Sequence, residues 1–255
     1  MRRSFPNLAP LVKPVWLGRI GYNDAWKLQE VLVEKINKAK IEKRPIDILL
    51  LLLEHNPVYT VGKRERQYTV EEERRLKDLG AEFYRRPHHV PGPGQLATRR
   101  LSHCQFGIAC RHSGRRIQAE ASGSEALRPP DRGDRDRDAE GEAWPGRGRS
   151  SGDHGIWIEG ADRKIAAIGL RFRHGISLHG LALNCNTDMK WFKEIVPCGL
   201  EGKVATSLTQ ELSRKVTVEE TIPALCESFA KHFECDVDLD HLNTKFTVEE
   251  VLNTL

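Results

Sequence analysis

Apolar residues recur along this chain with two periods, and the alternation between them predicts its elements. From Tyr22 to about Ala39, Ala25, Leu28, Gln29, Leu32, Val33 and Ile36 fall three and four apart, the spacing of one helix face. Val15-Trp16-Leu17 before it begins a short strand, and Gly18 to Gly21 is read as a turn. Ile46 to Glu54 (IDILLLLLE) is too short and too uniformly apolar for a surface helix and fits a central strand covered on both faces. Val58 to Val61 and Ala81 to Arg85 read as further strands. Strand-like alternation returns over Gly155–Glu159, Lys164–Phe172 and Ser177–Asn184, with Gly160-Ala161-Asp162 and Gly175 as turns. Helices are expected over Asp188–Ile195, Ser207–Ser213 and Glu219–Phe233, and a loop over Val196–Thr206.

Thr69-Val70-Glu71-Glu72 has the spacing of a capping box, with the threonine hydroxyl placed to accept from the backbone of the third helical residue. The same four letters recur at Thr217 and Thr247. They mark three helix starts rather than a repeat, because nothing around them matches.

The middle of the chain breaks these patterns. No lysine occurs from Arg86 to Ser150, while about half of the chain's arginines lie between Arg85 and Arg149. Between Arg111 and Ser150 the large apolar residues are Ile117, Leu127 and Trp144, too few to bury a helix or strand face. Residues 86–152 therefore read as an irregular Arg/Gly/Asp-rich insert without structure. So long a structureless segment inside a compact domain is unusual. A GC-rich coding sequence read out of frame from near Arg86 to near Asp153 would give this composition. The domain is expected over 12–240 and a tail over 241–255.

Composition changes this picture little. At 255 residues with 30% charged and 39% hydrophobic residues, the chain suits one soluble α/β domain. A net charge of +4 does not point to nucleic acid, and no apolar run is long enough for a bilayer. The start, MRRSFPNLAP, has two arginines but no apolar core of a secretory signal, and offers one serine toward a mitochondrial presequence. The expected location is the cytoplasm. The six cysteines show no C-x-x-C and no pairing with histidine, so neither a metal site nor a disulfide framework is expected.

Two residues carry candidate chemistry. Lys164 stands in the apolar run KIAAIGL, where a buried charge is costly without a partner. Cys198 stands in a Pro-Cys-Gly turn, on a loop, where reactive groups are presented. From the residues alone, Lys164 also fits an edge residue facing water. Cys185, Cys226 and Cys235 fit inert packing.

GIWIEGADRKIAAIGLR, then SLHGLALN, then NTDMKWFKEIVPCGL and TSL, resembles in order the lipoyl(octanoyl) transferases of lipoate biosynthesis; NPVYTVG fits as well. The resemblance implies a mixed-sheet single domain of the lipoate/biotin protein ligase catalytic type. It implies an octanoyltransferase that accepts octanoyl from octanoyl-acyl carrier protein as a cysteine thioester and passes it to a lysine. The acceptors implied are the lipoyl domains of 2-oxoacid dehydrogenases and the glycine cleavage H protein. No cofactor, metal, nucleic acid or membrane is implied. Carried over by motif, Cys198 is the nucleophile and Lys164 its partner. Ala167, Ile168 and Gly169 with Gly180, Leu181 and Ala182 line the acyl pocket, and His179 and Asn184 order it. An ATP-using lipoate ligase, or an inactive member that only binds acyl carrier protein or a lipoyl domain, are the alternative readings. The sequence departs from the family at RRPHHVPGPGQL. Gly92-Pro93-Gly94-Gln95-Leu96 is kept, the double glycine is missing, and Pro91 replaces a histidine. Arg85 or Arg86 is left to stand for the motif's arginine.

Overall fold

The computed structural model describes residues 10–61, 68–85, 97–99, 103–105, 107–108, 148–150, 155–158, 162–195 and 204–254. β1 (Leu11–Ile20) leads into α1 (Tyr22–Ile41), β2 (Ile48–His55), β3 (Val58–Val61), α2 (Val70–Asp78) and β4 (Glu82–Arg85). Four short strands follow: β5 (Ala97–Arg99), β6 (His103–Gln105), β7 (Gly107–Ile108) and β8 (Gly148–Ser150). β9 (Ile156–Ile158), β10 (Arg163–Arg173), β11 (Ile176–Asn184), α3 (Lys190–Lys193), β12 (Val204–Ala205) and α4 (Leu208–Glu211) come next. α5 (Val218–Phe233), β13 (Asp236–Val237), a 3-10 turn (Leu239–Asn243) and α6 (Val248–Thr254) complete the order.

Among the described residues the strands form three sheets, in the orders β13-β1-β2-β7, β4-β3-β5 and β6-β11-β10-β9-β8, with β12 beside β10. Parallel pairs (β1 with β2, β3 with β4) and antiparallel pairs (β10 with β11 and with β9) coexist, so the fold is a mixed-sheet α/β domain.

β2 explains why the sheets stack. Leu50 and Leu52 enter a core with Trp16, Ile156, Ala166, Leu183 and Phe229. Leu49, Leu51 and Leu53 point the other way, into a core with Leu28, Leu32 and Val33 of α1 and Leu178 of β11. A strand alternates its side chains between faces, so the uniformly apolar run covers two cores at once. A third core gathers Tyr59, Leu76, Phe83, Trp191 and Ile195.

All three Thr-Val-Glu-Glu sequences are helix starts. The threonine hydroxyls of Thr69, Thr217 and Thr247 each accept from the glutamate N–H three residues on, at 3.2 Å. β1 runs past the turn expected at Gly18. Gly18 has φ of +63° and sits in a register shift between Trp16 and Arg19, so it absorbs an extra residue as a bulge and the strand continues to Ile20.

Two expected segments look different in three dimensions. Within 86–152, which reads as structureless, β5 pairs with β3, β6 with β11, β7 with β2 and β8 with β9. Strand addition needs only backbone donors and acceptors, so a segment poor in apolar side chains can still complete sheet edges. The rest of that segment lies outside the described residues. The stretch set apart as a tail, 241–255, is docked as far as Leu252. The Phe246 N–H donates to the Trp16 carbonyl at 2.8 Å, and Val251 is buried in the α1 core.

Candidate active site

The site is built around Lys164, at the start of β10. Its backbone pairs with Trp157 of β9 on one side and Ala205 of β12 on the other. The Thr206 N–H donates to the Lys164 carbonyl at 2.9 Å, and the Thr206 carbonyl accepts from the Asn184 side chain at 2.9 Å. Asn184 is buried at the end of β11, so one amide fastens the end of that strand to the segment that pairs with Lys164. Beyond Thr206, Ser207 caps α4 through the Gln210 N–H, and Leu208 is fully buried.

The Lys164 side chain occupies a clearing. Its ammonium lies 5.4 Å from the centre of the Trp157 ring, within reach of a cation–π attraction. Gly155, with φ of +140°, makes the room. A β-carbon there would stand 2.2 Å from Lys164 Cε, 2.9 Å from Nζ and 2.6 Å from the Ala166 carbonyl oxygen. Any side chain at this position would push the amine away or strain the strand. The neighbouring Arg163 points outward and grips Glu211 with two bonds of 2.9 Å. That guanidinium, helped by the Thr206 hydroxyl, holds the Glu211 carboxyl below the ordinary carboxylate range.

The six residues expected to line the pocket are cross-strand partners: Ala167 with Ala182, Ile168 with Leu181, and Gly169 with Gly180. They do not share a face. Ile168 and Leu181 pack on the core beneath the sheet, whereas Ala167, Gly169, Gly180 and Ala182 belong to the opposite face. That face is half-buried at Ala167, Gly180 and Ala182.

His179 interrupts β11. Leu178 packs with α1, and regular alternation would turn the next residue away from it. Yet the His179 ring lies 5.3 Å from that of Trp26, on α1. A φ of +64° at His179, followed by +127° at Gly180, breaks the alternation. Its backbone N–H, turned out of the ladder, donates to Gln29 Oε1 at 2.8 Å. His179 is thus buried and held between α1 and the sheet.

Cys198 lies outside the described residues, as does the Pro-Cys-Gly turn. Its flanks are described. Ile195 is buried in the third core, and Arg75 binds the side chain and carbonyl of Glu194 at 2.6 and 2.8 Å. The chain re-enters at Val204, the partner of Arg163. Cys185, Cys226 and Cys235 are buried free thiols. Burial pushes the Cys226 thiol up to about 12 and that of Cys235 up to about 11, so neither supplies thiolate near neutral pH. Arg85 is committed to Glu73 at 2.8 Å and to the Tyr68 carbonyl at 3.0 Å; Arg86 lies outside the described residues.

Sequence reasoning missed β12, the roles of Gly155 and Trp157 beside Lys164, and the anchoring of His179 by Gln29 and Trp26. A glycine two residues before a strand tryptophan was the signal available for the second of these.

Among the described residues no helix is long and apolar enough to cross a membrane. The family model of the lipoyl protein ligase A/B catalytic domain matches residues 21–88 and 135–230. An octanoyl-[acyl-carrier-protein]:protein N-octanoyltransferase of Danio rerio, named as mitochondrial, is 40% identical over 229 residues, covering 88% of this chain and 93% of its own length. An octanoyltransferase of Corynebacterium jeikeium is 32% identical, covering 87% of each. A bipartite lipoate protein ligase from Thermoplasma acidophilum shares the fold, with a TM-score of 0.57 at 15% identity over 96% of this chain and 92% of its own. With its mixed sheets, a family model that matches most of its length and octanoyltransferase relatives that run nearly its full length, the chain belongs to the lipoyl protein ligase A/B catalytic-domain family, within the octanoyltransferases.

Proposed function

We propose that the chain transfers an octanoyl group from octanoyl-acyl carrier protein, through a thioester on Cys198, to a lysine of a lipoyl domain. The names of its relatives support the reaction. The observation that carries the assignment of residues is the pairing of β12 with β10, which returns the segment following Cys198 to the backbone of Lys164.

The chemistry needs one amine and one thiol. An ammonium beside the thiol favours the thiolate, which attacks the donor thioester carbonyl. The carrier thiolate leaves and takes a proton from the Lys164 ammonium. The neutral Lys164 amine then accepts a proton as the acceptor lysine attacks the Cys198 thioester. Expulsion of the Cys198 thiolate restores the starting ion pair. A thioester is already activated, so the cycle consumes no ATP. The face bearing Ala167, Gly169, Gly180 and Ala182 gives room for the acyl chain, with Ile168 and Leu181 backing it from the core. His179 and Asn184 act as positioning residues. The acceptors we propose are lipoyl domains of 2-oxoacid dehydrogenases and the glycine cleavage H protein.

Incubation with octanoyl-acyl carrier protein in the absence of ATP should leave octanoate on Cys198, seen by mass spectrometry. Octanoylation that requires ATP and leaves Cys198 unmodified would instead make the chain a ligase. No acylation under either condition would make it a binding protein only. The departure from the family at 85–95 is tested at the gene: if no other reading frame through 86–152 encodes an apolar, helix-patterned segment, the frameshift is refuted. For location, the cytoplasm expected from the sequence stands against the mitochondrial relative of Danio rerio. A fluorescent fusion of the full chain decides between them.

A further inference from the structure

A cavity of about 20 Å³ lies between α1 and the sheets, walled by Leu32 and Ile36 of α1, Leu49 and Leu51 of β2, and Ile176 and Leu178 of β11. Its walls are mostly apolar and suit methylene groups better than water. Two polar residues border it, Gln29 and Ser177, and both are buried. Gln29 bonds in two directions, accepting the His179 N–H at 2.8 Å and donating to the Ala25 carbonyl at 3.4 Å. Along β11 the order is Leu178 at the cavity, His179 on Gln29, then Gly180 and Ala182 on the half-buried face of small residues. The Gln29–His179 pair therefore stands between the cavity and the face that accommodates the acyl chain.

We propose that Gln29, fastened to His179, is the stop that sets acyl-chain length, with an unused apolar cavity behind it. The proposal rests on the octanoyl reading above. A chain of eight carbons ends against the stop. A longer one must break the Gln29–His179 bond and leave two buried polar groups without their partner, which rejects it. Removing the Gln29 head group joins the cavity to the acyl site and opens it to further methylenes.

The test uses the full chain with saturated fatty acids of six to twelve carbons, bound by calorimetry, and the matching acyl-acyl carrier proteins for thioester on Cys198. In Gln29→Ala the ratio of decanoate to octanoate affinity should rise roughly tenfold, as two methylenes move from water into apolar surroundings. Adding Leu32→Phe, which refills the cavity, should return the ratio toward that of the parent. Should Gln29→Ala not fold, Gln29→Asn, one methylene shorter, should move the ratio the same way by less. A folded variant with the parent's ratio overturns the stop, as does a parent that binds no fatty acid. Octanoate binding without any thioester on Cys198 removes the transferase reading and leaves the stop standing.

Discussion

β2 and β10 cross the same domain and serve opposite ends. Every residue of β2 from Leu49 to Leu53 is buried, and the strand divides its leucines between two cores. β10 buries Ile165 and Ala166, but Lys164 and Ala167 are half-exposed, and Arg171 and Arg173 leave the core to pair with Glu30 of α1. One strand is packed on both faces and has no surface for chemistry. The other is packed on one face and keeps small residues and an amine on the other. A site needs a rigid support and an open side, and only the second arrangement supplies both.

The largest test of this contrast is Lys164→Ala. It should slow acyl transfer roughly 10²–10⁴-fold, the range for loss of a proton-transferring group, while leaving the melting temperature nearly unchanged. Equal rates in variant and parent would remove the amine from the mechanism. Leu52→Ala in β2 should do the reverse. Leu52 is fully buried, so truncation should cost about 2–5 kcal/mol in denaturant unfolding, with activity per folded molecule preserved. A loss below about 1 kcal/mol would mean that β2 is not the packed strand described here.

Gly155→Ala probes the border between the two behaviours. A methyl group there meets the Lys164 side chain, and a displacement of the amine of the order of 1 Å should lower the rate roughly 100-fold. Because the same methyl meets the Ala166 carbonyl, some stability is lost as well. If the rate falls no further than the folded fraction, the clearing has no catalytic role.

The smallest expected effect concerns Glu211 and is a pH dependence. Its folded carboxyl titrates below the ordinary glutamate range, chiefly through Arg163, so the ion pair stabilises the fold at and above that range. That contribution is lost as pH falls below about 4.5 through the folded value. Glu211→Gln should therefore flatten the acid limb of the melting temperature between pH 5 and 3. An unchanged limb would show that Arg163 and Glu211 do not hold the strand edge.

Much of the fold can be read locally. The three threonine caps need only residues within one helical turn, and each hydroxyl accepts the N–H of the glutamate three residues on. The five leucines of β2 announce a strand covered on both faces without naming what covers it. The hairpin of β10 and β11 follows from two alternating runs around Gly175, and its register sets Ala167 opposite Ala182 and Gly169 opposite Gly180. In the middle of the chain the four described strands pair through the backbone, which leaves no apolar signature in the sequence.

By itself the sequence determined the longer helices and strands, the central strand, the helix caps and the family, since these depend on periods and motifs a few residues long. Only the tertiary structure decided that β12 returns beside Lys164, that Gly155 is a glycine because an amine passes over it, and that Gln29 holds a left-handed His179. The first and last of these join residues distant along the chain, and the second depends on how two strands pair. Such contacts are set by which surfaces the packed cores leave facing one another, and no local pattern records that.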